Sequence, residues 1–201
     1  MDWGNRCLKE VTWNEEEIKE EDVCILYLNR NFLTHCMFRF SFPHLVELDL
    51  GINGLSHFPL VGQALSLKRL FLGNNEIQEI DLNELKSLTQ LEVLDLRRNR
   101  IRVLELPSSM TSLITLSISQ NQVSLIKSLP LLHQLKKLCI FGNKRLSYEM
   151  VRTLLKSTPS IHTAFVGGTG IADMPFPTPE QRRHLIELIP TLRQIDGSGV
   201  H

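Results

Sequence analysis

The chain has 201 residues, with 22 basic and 22 acidic side chains and 7 histidines, so its formal net charge is zero. This length can bury one sizeable core, and the balanced charge argues against a protein that wraps nucleic acid, because such proteins are usually strongly basic. Leucine accounts for 35 residues, and this excess indicates a chain built by repetition.

The N-terminal stretch, residues 1–22, is predicted to be a capping segment. Asn14 is followed by three glutamates, which is the pattern of a helix with a capping residue and acidic side chains in its first turn. The acidic run over residues 15–22 has two interpretations, a solvated face of that helix or an interaction tail. No apolar run follows Met1, so a signal peptide is not expected, and no stretch has the length and apolarity of a membrane span.

The middle of the chain repeats one pattern. The frame L-x-x-L-x-L-x-x-N-x-L recurs, and its asparagines are spaced by 22, 22, 24, 22 and 22 residues. These asparagines are Asn31, Asn53, Asn75, Asn99, Asn121 and Asn143. A degenerate copy follows, with Ile161, Ala164 and Val166 at leucine positions and Thr169 at the asparagine position. Residues 23–171 are therefore identified as leucine-rich repeats.

The frame also predicts a fold. Alternate side chains of a strand point to opposite faces, so x-L-x-L makes a short strand with leucines in a shared core and the other side chains in solvent. No repeat can bury its apolar face alone, so the repeats stack, and their asparagines form a ladder that satisfies backbone groups at the turn. The return segments carry apolar residues at three-residue steps, such as Leu55, Phe58 and Val61, which predicts a 3₁₀-like convex side. The expected fold class is α/β, a right-handed leucine-rich repeat solenoid of about seven repeats with a parallel β-sheet on its concave face.

Two helices are predicted towards the C-terminus. Ser147 can cap the first, which Pro159 ends. Thr178 and Pro179 begin the second, and Gln181 completes a capping box with Thr178.

Residues 172–201 are predicted to be the C-terminal cap of the solenoid. The run 181–197 is similar to the cap motif of intracellular leucine-rich repeat proteins, with Ile195 in place of the usual leucine. Together with the 22-residue period, this motif resembles the intracellular class of the family, whose extracellular members usually have cysteine-rich caps. The resemblance and the unpaired spacing of the four cysteines imply a cytoplasmic location and reduced thiols.

The sequence contains no catalytic constellation, so the chain is not expected to be an enzyme or to bind a cofactor or a metal. GxSxG, HExxH and the phosphate-binding lysine motif are all absent from it. The glycine-rich stretch at residues 166–171 resembles a phosphate loop but lacks its lysine, and the repeat register favours a tight turn. The spacing of Cys7, Cys24, Cys36 and His35 matches no familiar zinc pattern, which favours ordinary thiols over a zinc site.

The concave face is the predicted working surface, because its outward side chains do not build the core. Aromatic residues at such positions, with arginines nearby, are typical of protein-binding patches. The predicted partner-binding residues are Tyr27, Ile52, Phe71, Asp95, Arg97, Arg98, Phe141 and Phe165. Room for a partner to approach the sheet is expected over Gly51, Gly73, Gly142 and Gly167. The alternative is that the aromatic rings pack on one another across adjacent strands or under a terminal segment.

The sharpest charge feature is the run 97–100, Arg-Arg-Asn-Arg, which Arg102 extends. One interpretation is a contact with an acidic partner helix or a phosphate backbone. The other is a solvated basic patch that nearby carboxylates offset, and the sequence favours neither.

The short array, its period and its cap resemble two families of small intracellular leucine-rich repeat proteins. These are the axonemal outer-arm dynein light chain 1 family and the spliceosomal A-prime family. Residues 144–146, Lys-Arg-Leu, depart from the Asn-Pro-Leu that often follows the last regular repeat in such proteins. The first resemblance implies a non-catalytic adaptor in the cytoplasm, at a cilium or on the cytoskeleton, which engages a helix or domain of another protein. The second implies a nuclear ribonucleoprotein component that reaches RNA through a protein partner. In both cases we expect a monomer within a complex, with no membrane and no direct nucleic-acid contact.

Overall fold

The computed structural model describes residues 1–11, 22–36, 42–168 and 177–199. The strands are β1 Ile25–Tyr27, β2 Glu47–Asp49, β3 Arg69–Phe71, β4 Val93–Asp95, β5 Val103–Leu104, β6 Thr115–Ser117, β7 Leu125–Ile126, β8 Lys137–Cys139, β9 Thr163–Phe165, β10 Gln194–Ile195 and β11 Ser198–Gly199. The helices are α1 Leu82–Ser87, α2 Tyr148–Lys156 and α3 Pro179–Leu188. The predicted N-terminal capping helix, together with Thr169 and Ile171 of the degenerate repeat, lies outside the described residues.

One long sheet forms the concave side, in the order β1-β2-β3-β4-β6-β8-β9-β10-β11. The strands from β1 to β10 pair in parallel, and β11 closes the sheet antiparallel to β10. The middle residue of each repeat strand is fully buried, and neighbouring middle residues pair directly, as Leu70 does with Leu94. The leucine-rich repeat solenoid with an inward leucine face is therefore confirmed.

The predicted asparagine ladder is also confirmed. The side chain of Asn99 accepts a hydrogen bond from the Ile77 amide at 3.0 Å and donates to the carbonyls of Leu72 and Leu96 at 2.9 and 3.0 Å. The other ladder asparagines make the same contacts one repeat apart. Each side-chain amide thus satisfies backbone groups that the turn leaves without a strand partner, and it ties that repeat to the preceding one.

The expectation of 3₁₀-like return segments is wrong for the described residues. Their apolar side chains do point inward, since Leu55, Phe58 and Val61 are buried. Two return segments, however, contain the α-helices α1 and α2, whereas in the others the backbone consists of extended chain and turns, with β5 and β7 pairing in parallel on the convex side. A three-residue period also suits an extended left-handed backbone, so the spacing of apolar residues does not select 3₁₀ geometry.

The 24-residue interval accommodates a helix that the repeat frame does not indicate. Asp81 caps α1 by accepting hydrogen bonds from the amides of Asn83 and Glu84, and Leu85 anchors the helix in the core. The two extra residues of this repeat are absorbed in this return segment, so the sheet register is unchanged.

Residues 1–8 form a half-repeat that the sequence analysis missed. The amides of Trp3 and Asn5 donate to the carbonyls of Tyr27 and Asn29, as later repeats do to their neighbours. Asn31 then accepts hydrogen bonds from the amides of Arg6 and Leu8. Trp3 occupies a leucine position and Arg6 the asparagine position, which is why the frame was not visible there.

The C-terminal end follows its prediction closely. Ser147 caps α2, and Thr178 caps α3 through a capping box with Gln181. Asp196 satisfies backbone amides next to the last repeat strand. Its Oδ1 accepts hydrogen bonds from the amides of Val166 and Gly167 at 2.7 and 2.8 Å.

Candidate protein-binding surface

Two outward side chains per strand build the concave surface. The position after the buried middle residue was predicted, and it holds Tyr27, Asp49, Phe71, Asp95, Ser117, Cys139 and Phe165. The position before it was missed, and it holds Ile25, Glu47, Arg69, Val93, Thr115, Lys137 and Thr163. Period-two alternation about the middle leucine was the signal that could have found this second column.

The first strands carry a polar network beside an aromatic ring. The Tyr27 hydroxyl donates to Glu47 Oε1 at 3.1 Å, and the Arg69 guanidinium pairs with the other oxygen of Glu47. The hydrogen bond to Glu47 raises the pKa of Tyr27, so the phenol stays neutral and remains a donor. These cross-strand contacts fix Tyr27 in place without burying it.

Phe71 lies between two carboxylates, because β3 pairs it with Asp49 on one side and Asp95 on the other. Burial raises the pKa of the Asp49 carboxyl, whose Oδ1 accepts a hydrogen bond from the Gly51 amide at 2.8 Å. Asp95 faces the same surface but is only 9% exposed. Its prediction as a contact residue stays untested, although a partner would reach it less readily than its column suggests.

The later strands are less charged. Ser117 and Cys139 are paired across β6 and β8, and Cys139 is paired with Phe165 across β8 and β9. Burial raises the pKa of the Cys139 thiol, which keeps it protonated. The ammonium of Lys137 lies 5.9 Å from the centroid of the Phe165 ring, at the outer limit of a cation–π contact.

Four predicted contact residues are not on strands, namely Ile52, Arg97, Arg98 and Phe141. Ile52 and Arg98 lie in the turn after β2 and β4, where their φ angles are 55° and 53°. The same left-handed position recurs in every repeat and is filled by Arg30, Ile52, Asn74, Arg98, Gln120, Gly142 and Gly168. The backbone therefore points these side chains along the turn edge of the solenoid, which is a correction to their placement on the sheet.

The aromatic rings are not stacked on adjacent strands. Tyr27, Phe71 and Phe165 stand on β1, β3 and β9, which are not neighbours in the sheet order. Phe141 follows β8 at the rim of the sheet and is 46% exposed. The alternative that the rings pack on one another across neighbouring strands is therefore not supported for Tyr27, Phe71 and Phe165, whereas Phe141 follows the strand next to β9.

The glycines do not leave the room that was expected. A Cβ at Gly73 would lie 3.0 Å from Cγ of Arg97, so this glycine makes space for the chain's own arginine. A Cβ at Gly51 would lie 3.0 Å from Oδ1 of Asp49, and one at Gly167 would lie 3.3 Å from Oδ1 of Asp196. These positions serve contacts inside the solenoid.

The described residues show no group of three or more side chains that could hold a metal ion. They also contain no helix long and apolar enough to cross a membrane. The amides of Val166 and Gly167 are occupied by Asp196, so a phosphate group would have to displace that carboxylate. For residues 166–168, the described part of this stretch, the structure supports the tight-turn interpretation.

The geometry defines a leucine-rich repeat solenoid whose concave sheet mixes aromatic rings with paired charges. A family model described as Leucine Rich repeats (2 copies) matches residues 65–108 and 89–131. Internalin inlF from Listeria monocytogenes str. 4b F2365 has a TM-score of 0.67 at 22% identity, over 89% of this chain and 49% of that one. The leucine-rich repeat domain of APL1B also has a TM-score of 0.67, at 17% identity, over 99% of this chain and 68% of that one. These likenesses establish the fold.

Several known proteins are similar in sequence to parts of this chain. Osteomodulin from Bos taurus is 28% identical over 174 residues, which is 84% of this chain and 37% of that protein. The leucine-rich repeat-containing G-protein coupled receptor 5 of Rattus norvegicus is 36% identical over 108 residues, 52% of this chain and 12% of the receptor. The Arabidopsis thaliana homolog of protein phosphatase 1 regulatory inhibitor subunit PPP1R7 is 30% identical over 86 residues, 42% of this chain and 26% of that protein. The chain spans well under two thirds of each of them.

The family model matches about a third of this chain, and the structural neighbours share its fold. Leucine-rich repeat proteins generally use their extended surfaces to bind other proteins. The relatives are of several different kinds, so the intracellular class and the two small families named in the sequence analysis are not established by them.

Proposed function

We propose that this chain is a non-catalytic adaptor that binds a helix or a domain of another protein on its concave sheet. The observation that carries the proposal is the position of Tyr27, Phe71 and Phe165 on the outward face of a sheet whose inward face is complete without them. Large aromatic side chains at partly exposed positions are the usual anchors of protein interfaces.

The size of the sheet suits a helical partner. Six strand-to-strand steps separate β1 from β9 in the sheet order, which corresponds to about 29 Å at the usual strand spacing. A helix of about 19 residues has that length. The paired charges around Glu47 and Asp95 would give such a helix an orientation, while the rings would supply the apolar contact.

We propose in addition a cellular location for the adaptor. Its repeat length and cap resemble those of the dynein light chain 1 family, which supports a cytoplasmic, ciliary or cytoskeletal adaptor. The similarity to a protein named as a phosphatase regulatory inhibitor subunit supports a regulatory role for the same surface. The alternative is a ribonucleoprotein component that reaches RNA through a protein partner.

The test is affinity capture from cell lysate with three forms of the chain. We expect Phe71→Ser/Phe165→Ser to lose partners that the wild type retains. Phe32→Ser is the matched control, because Phe32 is 61% exposed and lies on the turn edge, not on the sheet. Axonemal or tubulin-associated proteins among those lost would support the cytoskeletal form, and splicing proteins would support the ribonucleoprotein form. If all three baits recover the same proteins, the concave face is not the binding surface.

A folding control separates lost contacts from lost structure. The double variant should keep the melting temperature of the wild type within a few degrees, since surface substitutions usually cost less than about 0.5 kcal/mol each. Leu94→Ala removes a fully buried side chain from the core and should cost about 2–5 kcal/mol. A fall of that size in the double variant would show that the rings belong to the core.

A further inference from the structure

The turn edge of repeats four to six carries a cluster of positive charge on a chain whose formal net charge is zero. Arg98, Arg100 and Arg102 lie on the fourth repeat, and Lys144 and Arg145 lie two repeats further on; all five are exposed. The repeat between them has uncharged Gln120 and Gln122 at the positions that match Arg98 and Arg100. Two strand spacings, about 10 Å, separate the two groups of cations.

This positive charge is largely uncompensated. Arg100 pairs with Glu76 at 3.1 Å, and both side chains are about half exposed. Arg98 donates to Oε1 of Gln120 at 2.6 Å and to Oδ1 of Asn74 at 3.4 Å, so neutral amides hold its guanidinium without neutralising it. The salt bridges of the described residues include neither Arg102 nor the pair at residues 144–145.

Elsewhere in the solenoid some cations pair with carboxylates, whereas others, such as Lys86, Lys136 and Lys137, have no salt bridge among the described residues. On the sheet, Arg69 pairs with Glu47 and Arg97 pairs with Asp95, while Lys127 on the convex side pairs with Glu105. Like charges that lie close together without counter-charges repel one another, so this arrangement costs stability unless an anion binds. The turn edge is distinguished by clustering, because it brings together four exposed cations, Arg98, Arg102, Lys144 and Arg145, that have no salt bridge among the described residues.

The turn edge also contains a surface groove that could receive an extended peptide segment. The groove is lined by Gln120, Gln122, Phe141, Gly142, Lys144 and Arg145, together with the ladder asparagines. The exposed ring of Phe141 provides an apolar contact at the rim of this groove, next to the two cations. The side-chain amides of the two glutamines provide further hydrogen-bond donors and acceptors in its lining, and Oε1 of Gln120 already accepts from Arg98.

We propose that this edge, defined by Arg98, Arg102, Lys144 and Arg145, binds an acidic, extended segment of a partner protein. Carboxylates of the segment pair with the cations, and an apolar side chain of the segment packs on Phe141. This surface is separate from the concave sheet, so the inference goes beyond the proposed function and does not rest on it.

A protein segment fits this edge better than a nucleic acid does. The patch is short, and carboxylates lie beside it, with Glu76 on the turn edge and Asp49 and Asp95 on the adjoining sheet. A polyphosphate running past the patch would meet these negative charges, whereas a peptide can place neutral residues there.

The test is fluorescence anisotropy with a fluorescein-labelled peptide of about twelve residues that has glutamate at every second position and one central leucine. The same peptide with glutamine for glutamate is the ligand control. Arg102→Gln/Lys144→Gln/Arg145→Gln is the test variant. The matched variant is Lys86→Gln/Lys156→Gln/Arg183→Gln, which removes the same charge from exposed positions elsewhere.

We expect the test variant to bind the acidic peptide at least about tenfold more weakly than the wild type, with a shallower salt dependence. The matched variant and Phe71→Ser/Phe165→Ser should bind it like the wild type. The inference is overturned if the wild type does not discriminate between the two peptides, or if both charge variants lose affinity equally. It is also overturned if the concave variant alone loses the peptide, or if a single-stranded RNA of about twelve nucleotides binds this edge more tightly. Each of these outcomes leaves the lysate experiment on the concave face as an independent test of the proposed function.

Discussion

The carboxylate of Asp95 binds both the backbone amide and the guanidinium of Arg97. Its Oδ1 accepts a hydrogen bond from the Arg97 amide at 3.0 Å, and its Oδ2 lies 3.2 Å from Nε of the same residue. The arginine side chain then extends over Gly73 of the preceding repeat. The pair neutralises the charge of Arg97 at the sheet surface. The basic run 97–102 is therefore split, with Arg97 on the sheet and Arg98, Arg100 and Arg102 on the turn edge.

The asparagine ladder should be a main source of stability. Asn121 is buried and accepts from the Ile101 amide while donating to two carbonyls. Asn121→Ala leaves buried backbone groups unpaired and should lower the free energy of unfolding by about 3 kcal/mol. Urea denaturation followed by circular dichroism measures this change.

Asn83→Ala is its control, because Asn83 is exposed on α1, where alanine is a good helix former. Equal effects of the two substitutions would show that the ladder contacts contribute no special stability.

Most repeats have a residue other than glycine at the left-handed turn position, but the sixth repeat has Gly142 there. At Gly142 the φ angle is +74°, and an added Cβ would lie 3.2 Å from Cγ of Gln120. Gly142→Ala should therefore destabilise the fold by about 1–2 kcal/mol, which is the cost of this conformation for a residue with a Cβ.

Gly54→Ala is the matched substitution. A Cβ there would lie 3.5 Å from the Leu33 carbonyl oxygen, which is ordinary contact. Thermal unfolding of both variants should show a loss only at position 142, and a comparable loss at position 54 would contradict the conformational explanation.

The four thiols should react in separate phases. Cys7 and Cys24 are exposed, whereas burial raises the pKa of Cys36 to about 12. The thiolate is the reactive form, so at about pH 8 a disulfide reagent should modify the exposed pair first and the partly buried Cys36 more slowly. Cys36→Ser should leave the amplitude of the fast phase unchanged, and a fast phase that includes Cys36 would contradict its burial.

Stability should depend on the ionisation of Asp49. Burial raises the pKa of its carboxyl in the folded chain, so the folded state binds this proton more readily than the unfolded state does. The contribution of Asp49 is therefore most favourable below its ordinary pKa, about 4, and is lost as pH rises through the raised value.

Asp49→Asn keeps the acceptor for the Gly51 amide and removes the charge. We expect a modest rise in melting temperature at pH 7 and a flatter dependence of stability on pH above about 4. Asp2→Asn is the control, since Asp2 makes the same contact with the Gly4 amide at an exposed position. A lower melting temperature for Asp49→Asn at pH 7 would contradict the assigned cost of the buried charge.

The regular elements of this protein were accessible from the sequence because they depend on spacing. The asparagine period located the repeats, the alternation of leucines predicted the inward residues such as Leu94, and Thr178 with Gln181 predicted the start of α3. Each of these features is a local rule of backbone geometry that repeats along the chain or acts within one turn.

The half-repeat at residues 1–8 shows where such rules stop. Trp3 and Arg6 do not match the frame, yet their backbone makes the repeat's hydrogen bonds because Tyr27 and Asn31 offer the partners. Asp196 likewise replaces a missing next repeat through contacts made 29 and 30 residues away. These pairings belong to the assembled sheet and have no local pattern.

The sequence by itself determined the solenoid, the register of its repeats and the buried middle residue of each repeat strand. The tertiary structure decided which outward side chains are accessible. Asp95 is nearly buried, Arg97 fills the space over Gly73, and the left-handed backbone turns Ile52 and Arg98 to the edge. Periodicity fixes the direction of a side chain, whereas its accessibility depends on non-periodic neighbours about 22 residues away in the chain.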